Sequence, residues 1–339
     1  MKASPSVPAE RRLRFVLNAH GPSFEVYGLL LVASLRHWCG DRVAIRAYRP
    51  DNLPPCSPKA LQFLQRRQVE IVDFHNPWLP DRLDDPRSVP NRHLTYNKLF
   101  TLLNVEAGEQ RVFLDADQVL LGDPTPLLLA QRAPAGLVAA DTPESFLEDW
   151  DALYRSMGLE PSTRRISMWQ TYAFGHQSEP PQIETHPYFC SGLVSVTAES
   201  RLPEQWLQFS AELERRIDSL TLTYFVDQVS LPLAAAASGQ DWDLLSPRCS
   251  ATPHVFRFIQ EPLLFHYWQW HALAAQAART APLHAHLKQI SGELQRETGI
   301  DLRFQLLTQW PRWYGRVRHL ARGRLERLGL IAAKGTGLR

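Results

Sequence analysis

The sequence contains no run of about 18 apolar residues, the length a helix needs to cross a bilayer, so no segment reads as a membrane span. Met1 to Arg14 carries charges but no apolar stretch and does not read as a secretion signal. Cysteine is scarce. Cys39, Cys56, Cys190 and Cys249 form no Cys-x-x-Cys pair, and their spacing fits neither a zinc site nor a disulfide framework. Free thiols in a reducing cytoplasm are the expectation. An excess of one charge is also missing. The net charge of +2 gives no reason to expect a nucleic-acid partner. There is no internal repeat and no low-complexity tract.

The 339 residues are 44% apolar and 21% charged, the balance of an ordinary globular protein. Such a length buries about three quarters of its unfolded surface. Ten tryptophans stand out. Flat amphipathic rings suit sugar faces, though core packing is the commoner use.

Apolar runs of strand length alternate with helical periodicity from the start. Strands are expected at 14–18, 43–48, 69–74 and 112–114, and helices at 24–38, 59–67 and 96–105. Gly40 is a good helix stop. Further strands are expected at 136–140, 188–196 and 263–267, with helices at 202–217 and 223–237. This alternation implies right-handed βαβ units and a mostly parallel central sheet, an α/β fold. The predicted organisation is a loose tail (1–12), a catalytic domain (13–272) and a helical extension (273–339). The domain divides into a nucleotide-binding half (13–141) and an acceptor half (142–272). Residues 144–188 are rich in Trp, Tyr, Pro and His with weak periodicity, and read either as an insertion over a site or as surface structure.

The most informative stretch is Val112-Phe113-Leu114-Asp115-Ala116-Asp117. An apolar strand ends abruptly in two carboxylates. Open α/β sheets bind ligands just beyond the carboxyl ends of their strands. Two carboxylates one residue apart can hold a hard divalent cation, which can in turn hold a diphosphate.

Around that pair, six short motifs fall in order. They are Thr95-Tyr96-Asn97-Lys98-Leu99, Phe113-Leu114-Asp115-Ala116-Asp117, Ala139-Ala140-Asp141, Tyr188-Phe189-Cys190-Ser191-Gly192, Asp227-Gln228 and His266-Tyr267. In this the chain resembles the retaining glycosyltransferases of family 8, which have the GT-A fold and include glycogenin and the lipopolysaccharide galactosyl- and glucosyltransferases. The resemblance covers residues 14 to about 270. It implies Mn²⁺ or Mg²⁺ held by Asp115, Asp117 and His266, with the imidazole favouring manganese somewhat. It implies a nucleotide-sugar donor, UDP-linked, touched by Asn18, Ala19 and His20 at its base and ribose and also by Ala116, with Lys98 paired with a phosphate or with the carboxylates that face the donor sugar. It implies Asp141, Asp227 and Gln228 beside the donor sugar, and a glycan or lipid-linked acceptor. The chain departs from the pattern in two places. Cys190 stands where the family has asparagine. After the histidine, where the family carries a glycine and then a lysine, Trp268-Gln269-Trp270-His271-Ala272 follows.

Other readings remain open. Asp227 also looks like a helix N-cap. Asp141, Asp227 and Glu184 are all candidate bases should the transfer invert configuration. A nucleotidyltransferase of similar topology would want a glycine- and lysine-rich loop after the first strand, for which Asn18-Ala19-His20-Gly21-Pro22 is a poor match. A non-catalytic nucleotide-sugar-binding relative is kept open by Cys190 and the altered segment after His266. Finally, residues 303–328 place Trp310, Trp313, Val317, Leu320, Leu325 and Leu328 at helical spacing among arginines. That reads as a helix on the anionic inner face of a membrane, reached from the cytoplasm, or as a helix packed on the domain.

Overall fold

The computed structural model describes residues 11–81, 83, 91–140, 149–169, 181–216 and 225–302. The basic segment expected at 303–328 lies outside the described residues, as does most of the N-terminal tail. Among the described residues no helix is long and apolar enough to cross a membrane. The chain divides into two compact units, Met1–Trp268 and Gln269–Arg339.

The first unit is built on a seven-stranded sheet. Its strands, in chain order, are β1 (Arg12–Asn18), β2 (Ala44–Pro50), β3 (Val69–Phe74), β4 (Glu109–Leu114), β6 (Ala135–Ala139), β9 (Phe189–Thr197) and β10 (Trp242–Leu244). The spatial order is β10-β6-β9-β4-β1-β2-β3. Strands β4, β1, β2 and β3 run parallel, while β9 lies antiparallel between β4 and β6. β4 and β9 are buried along their whole lengths, as strands covered on both faces must be.

Two small antiparallel ladders complete the unit. β5 (Gln118–Leu120) pairs with β11 (Leu264–His266), Gln118 opposite His266. β7 (Ile166–Trp169) pairs with β8 (Gln182–Thr185) within the stretch the sequence left unassigned. Helix α6 (Trp150–Ser156) precedes that hairpin, capped by Asp149, whose carboxylate accepts from Ala152 N at 2.8 Å.

The parallel strands are joined by helices. α1 (Gly21–Cys39) buries Leu29 to Ala33 and Leu35 and ends at Gly40, whose φ of 59° is left-handed. α2 (Pro58–Arg66) has proline in its first turn, and the hydroxyl of Ser57 accepts from Ala60 N at 3.2 Å. Both are standard helix-start chemistry. The helix expected at 96–105 is shorter, α4 (Asn97–Thr101), and a separate short helix, α3 (Asn91–Thr95), precedes it. Arg111 holds the segment where α4 stops. Its buried guanidinium donates to the carbonyls of Thr101, Leu103 and Asn104 at 2.7–3.2 Å. Those acceptors serve the sheet instead of extending the helix, and Asn104 turns left-handed at φ 55°. Further along come α5 (Thr125–Leu129), α7 (Leu202–Arg216) and α8 (Val226–Ala237). The second unit contains α9 (Trp270–Ala277) and α10 (Ala281–Thr298), the latter closed by left-handed Gly299.

Candidate active site

β4 delivers Asp115 and Asp117 to the carboxyl edge of the sheet. Its parallel neighbour β1 ends at the same edge. The register Val16 opposite Phe113, continued two residues, sets Asn18 beside Asp115. Asn18 is half-buried there, Ala19 N donates to Tyr48 O at 2.8 Å, and His20 is buried. Burial lowers the His20 imidazole to a pKa of about 4, so it is neutral at pH 7.

His266 arrives from far along the chain. The β5–β11 ladder puts it next to the carboxylates, and Tyr267 N donates to Asp117 O at 3.1 Å. His266 Nε2 lies 3.2 Å from Asp117 Oδ1. One donor atom from each of Asp115, Asp117 and His266 falls within 4.8 Å of the others. Gly192 permits this close approach. A Cβ there would stand 2.5 Å from His266 Cε1 and 3.0 Å from Asp115 Oδ2. Two carboxylates and an imidazole converging in this way are a donor set suited to a divalent cation.

A second polar group adjoins the first. Lys98, on α4, is buried, its Nζ 3.1 Å from Asp115 Oδ2, 2.9 Å from Asp227 Oδ2 and 3.3 Å from Ser191 Oγ. The Ser191 hydroxyl donates to Asp227 Oδ2 at 2.7 Å. Asp227 sits inside the first turn of α8 and not at its cap, which is Phe225. The N-cap alternative for Asp227 is thereby corrected: its carboxylate turns away from the helix start to Lys98 and Ser191. Gln228 is half-buried one residue on, and Ala116 is buried between the two aspartates.

The charges respond to this crowding. Burial raises Asp115, with Asp117 adding to the rise against the pull of Lys98. Burial would raise Asp117 too, but His266 and then Lys98 take it below the ordinary carboxylate range. Burial works against the His266 imidazolium, and the Asp117 carboxylate overcomes it, lifting the group well above its usual value. Lys98 is likewise lifted, by Asp115 and Asp227, against burial. Lys98, His266 and Asp117 are thus shifted toward their charged forms although desolvated, because each faces an opposite charge, whereas burial opposes the charge on Asp115.

Among the residues predicted from sequence, Lys98, Asp115, Asp117, Asp227 and His266 come together. Asn18, Ala19 and His20 share their sheet edge. Asp141 lies outside the described residues. Glu184 is exposed on the β7–β8 hairpin, paired with Ser167. Ser191 and Gly192 were visible as part of a motif, but nothing in the sequence gave each a separate part: one bonds the lysine–aspartate pair, the other lacks the atom that would collide with the His266 ring and Asp115.

The galactosyltransferase LgtC, solved with donor and acceptor sugar analogues, superposes with a TM-score of 0.52 at 14% identity over 89% of this chain and 99% of its own. An active-site mutant of LgtC superposes at 0.50 and 13% identity, covering 89% and 98%. At such identities the likeness establishes the fold, which is GT-A. No curated protein sequence matches. Residues 15–239, from β1 to just past α8, match the model of the Rhodobacterales glycosyltransferase domain. The strand-end carboxylates therefore sit in the fold and the stretch of sequence of a transferase of sugars, and the chain belongs to the Rhodobacterales glycosyltransferase family.

Proposed function

We propose that this glycosyltransferase moves a hexose from a UDP-linked sugar to a hydroxyl of a glycan or lipid-linked acceptor, depends on a divalent cation and retains the anomeric configuration. The observation that carries the reading is the convergence of Asp115, Asp117 and His266 within 4.8 Å, next to the Lys98–Asp227 pair. Mn²⁺, or Mg²⁺, would be held by those three side chains and, when bound, supplies Lewis-acid stabilisation of a departing diphosphate.

The other residues have complementary parts. Lys98 keeps its proton and offsets the carboxylate charge that an anionic donor would otherwise meet. Asp227 is oriented by Ser191 and Lys98, which suits it to accept hydrogen bonds from donor-sugar hydroxyls, with Gln228 on the same turn. Asn18, Ala19 and neutral His20 line the edge where base and ribose would lie, and Asp141 is assigned to the sugar on the resemblance alone. Retention is favoured because Asp227, already engaged by a lysine and a hydroxyl, is poorly placed to serve as a free base. On a retaining course the departing phosphate oxygen takes the acceptor proton on the same face, so positioning suffices.

The test is release of nucleoside diphosphate from a panel of nucleotide sugars with Mn²⁺, before and after EDTA. Slow donor hydrolysis that EDTA stops and Mn²⁺ restores is expected. Full turnover in EDTA would sink the metal dependence, and an inverted product anomer, read by NMR, would sink retention.

A further inference from the structure

A histidine can ligate a cation through Nε2 only if that nitrogen is free of hydrogen, so the proton must be parked on Nδ1 and held there by an acceptor. In this chain the group facing His266 Nδ1 is a thiol. Cys190 Sγ lies 3.5 Å from it. The Ser250 hydroxyl in turn donates to the same sulfur at 3.6 Å. All three side chains are buried. The main chain next to Ser250 holds the same residue: His266 N donates to Ala251 O at 2.9 Å. Gly192, two residues from Cys190 along the same strand, lets the ring edge approach.

We propose that Cys190 and Ser250 are positioning residues for His266. The sulfur accepts the Nδ1–H and the Ser250 O–H through its two lone pairs. This fixes the imidazole in the Nδ1–H tautomer and turns Nε2 towards Asp117 and the ion. Cys190 is thus neither nucleophile nor ligand: it is buried, and it is not among the residues whose donor atoms converge.

The inference rests on the metal reading of Asp115, Asp117 and His266, and the experiment separates the two. The dissociation constant for Mn²⁺ alone is measured on the full chain by the paramagnetic resonance of free Mn²⁺, with no nucleotide sugar present. Melting temperatures are followed in parallel. Cys190→Ala should bind about 10- to 100-fold more weakly, the usual range for losing an outer-shell partner. Cys190→Ser, which keeps an acceptor, should recover most of that loss. Ser250→Ala should weaken binding a few-fold, and it carries the test if Cys190→Ala does not fold. In metal-free protein, at a pH where the ring is neutral, nitrogen NMR should find His266 as the Nδ1–H tautomer in the wild type and a mixture in Cys190→Ala. Wild-type Mn²⁺ affinity and an unmixed tautomer in a folded Cys190→Ala would overturn the positioning role while leaving the metal reading intact. A wild-type chain that binds no Mn²⁺ would overturn both.

Discussion

Strand β4 carries charge at both of its ends, buried at one and half-buried at the other, and the two ends differ in kind. At the amino end, Arg111 is 1% exposed and spends its guanidinium on Glu109, Tyr48 Oη and the carbonyls of Thr101, Leu103 and Asn104. Its donors are consumed by groups that are part of the fold. At the carboxyl end, Asp115 and Asp117 face one histidine and one lysine, and the lysine is shared with Asp227. Three carboxylates against two cations leave acceptor atoms pointing at common space. Burial and ionisation are therefore not the mark of a site. The mark is a surplus of one sign whose atoms converge, found here at the edge where parallel sheets bind ligands.

The comparison is sharpest when each end is damaged in turn. Asp115→Asn removes a converging charge with little change of shape, so donor turnover should fall by about a thousandfold or more, comparable to losing a charge-stabilising group in other enzymes. Its melting temperature should stay near the wild-type value. Arg111→Met should do the reverse. It takes away one of the two guanidinium groups beside buried Glu109, leaving only Arg14 Nε at 3.1 Å, and strips the carbonyls of Thr101, Leu103 and Asn104 of their donor, at a cost of about 3–5 kcal/mol in urea unfolding, while the molecules still folded retain Mn²⁺ affinity. Equal damage to stability from both changes would erase the distinction. Gly192→Ala is a milder attack on the carboxyl end, placing a methyl 2.5 Å from His266 Cε1 and 2.9 Å from Nδ1. Mn²⁺ affinity should drop about tenfold, and stability by about 1–3 kcal/mol from overpacking.

The smallest effect is invisible at pH 7. His20 titrates near pH 4 when folded and near the ordinary 6.5 when unfolded. Between those values the unfolded chain binds more protons, so the contribution of the neutral ring is complete above about pH 6.5 and is lost as pH falls towards 4. Replacing His20 with Asn should flatten the acid limb of the stability curve by up to one proton, about 1.4 kcal/mol per pH unit. An unchanged slope would show that the carboxyl edge tolerates a charged imidazole.

Much of this was legible in the sequence. Period-two and period-3.6 patterns gave β1 to β4 and their helices, because each strand is apolar and each crossover is locally encoded. The abrupt change from Leu114 to Asp115 marked the site for the same reason. Other features were hidden because they depend on distant partners. The burial of Lys98 requires Asp115 and Asp227, which come from two other elements. The break after Thr101 depends on Arg111, whose side chain takes the carbonyls a longer helix would have used. The hairpin β7–β8 is short and half exposed, with only Ile166 and Met168 turned inward, so its alternation was too brief to register. His266 lies beyond the residues 15–239 that carry the family match, and only the order of short motifs pointed to it.

The reversed direction of β9 has a consequence of its own. Because it runs against β4 and β6, its first residues, and not its last, reach the ligand edge. Successive side chains on a strand face opposite ways. Cys190 and Gly192 accordingly meet the His266 ring, while Ser191 meets Lys98 and Asp227. The pleat of three residues acts as a partition wall, with the proposed cation donors in one room and the Lys98–Asp227 pair in the other. Asp115 is the doorway, touching Lys98 on one side and the cation donor set on the other. Substitutions at even and odd positions of this segment should therefore address different halves of the reaction, even though their Cα atoms are neighbours.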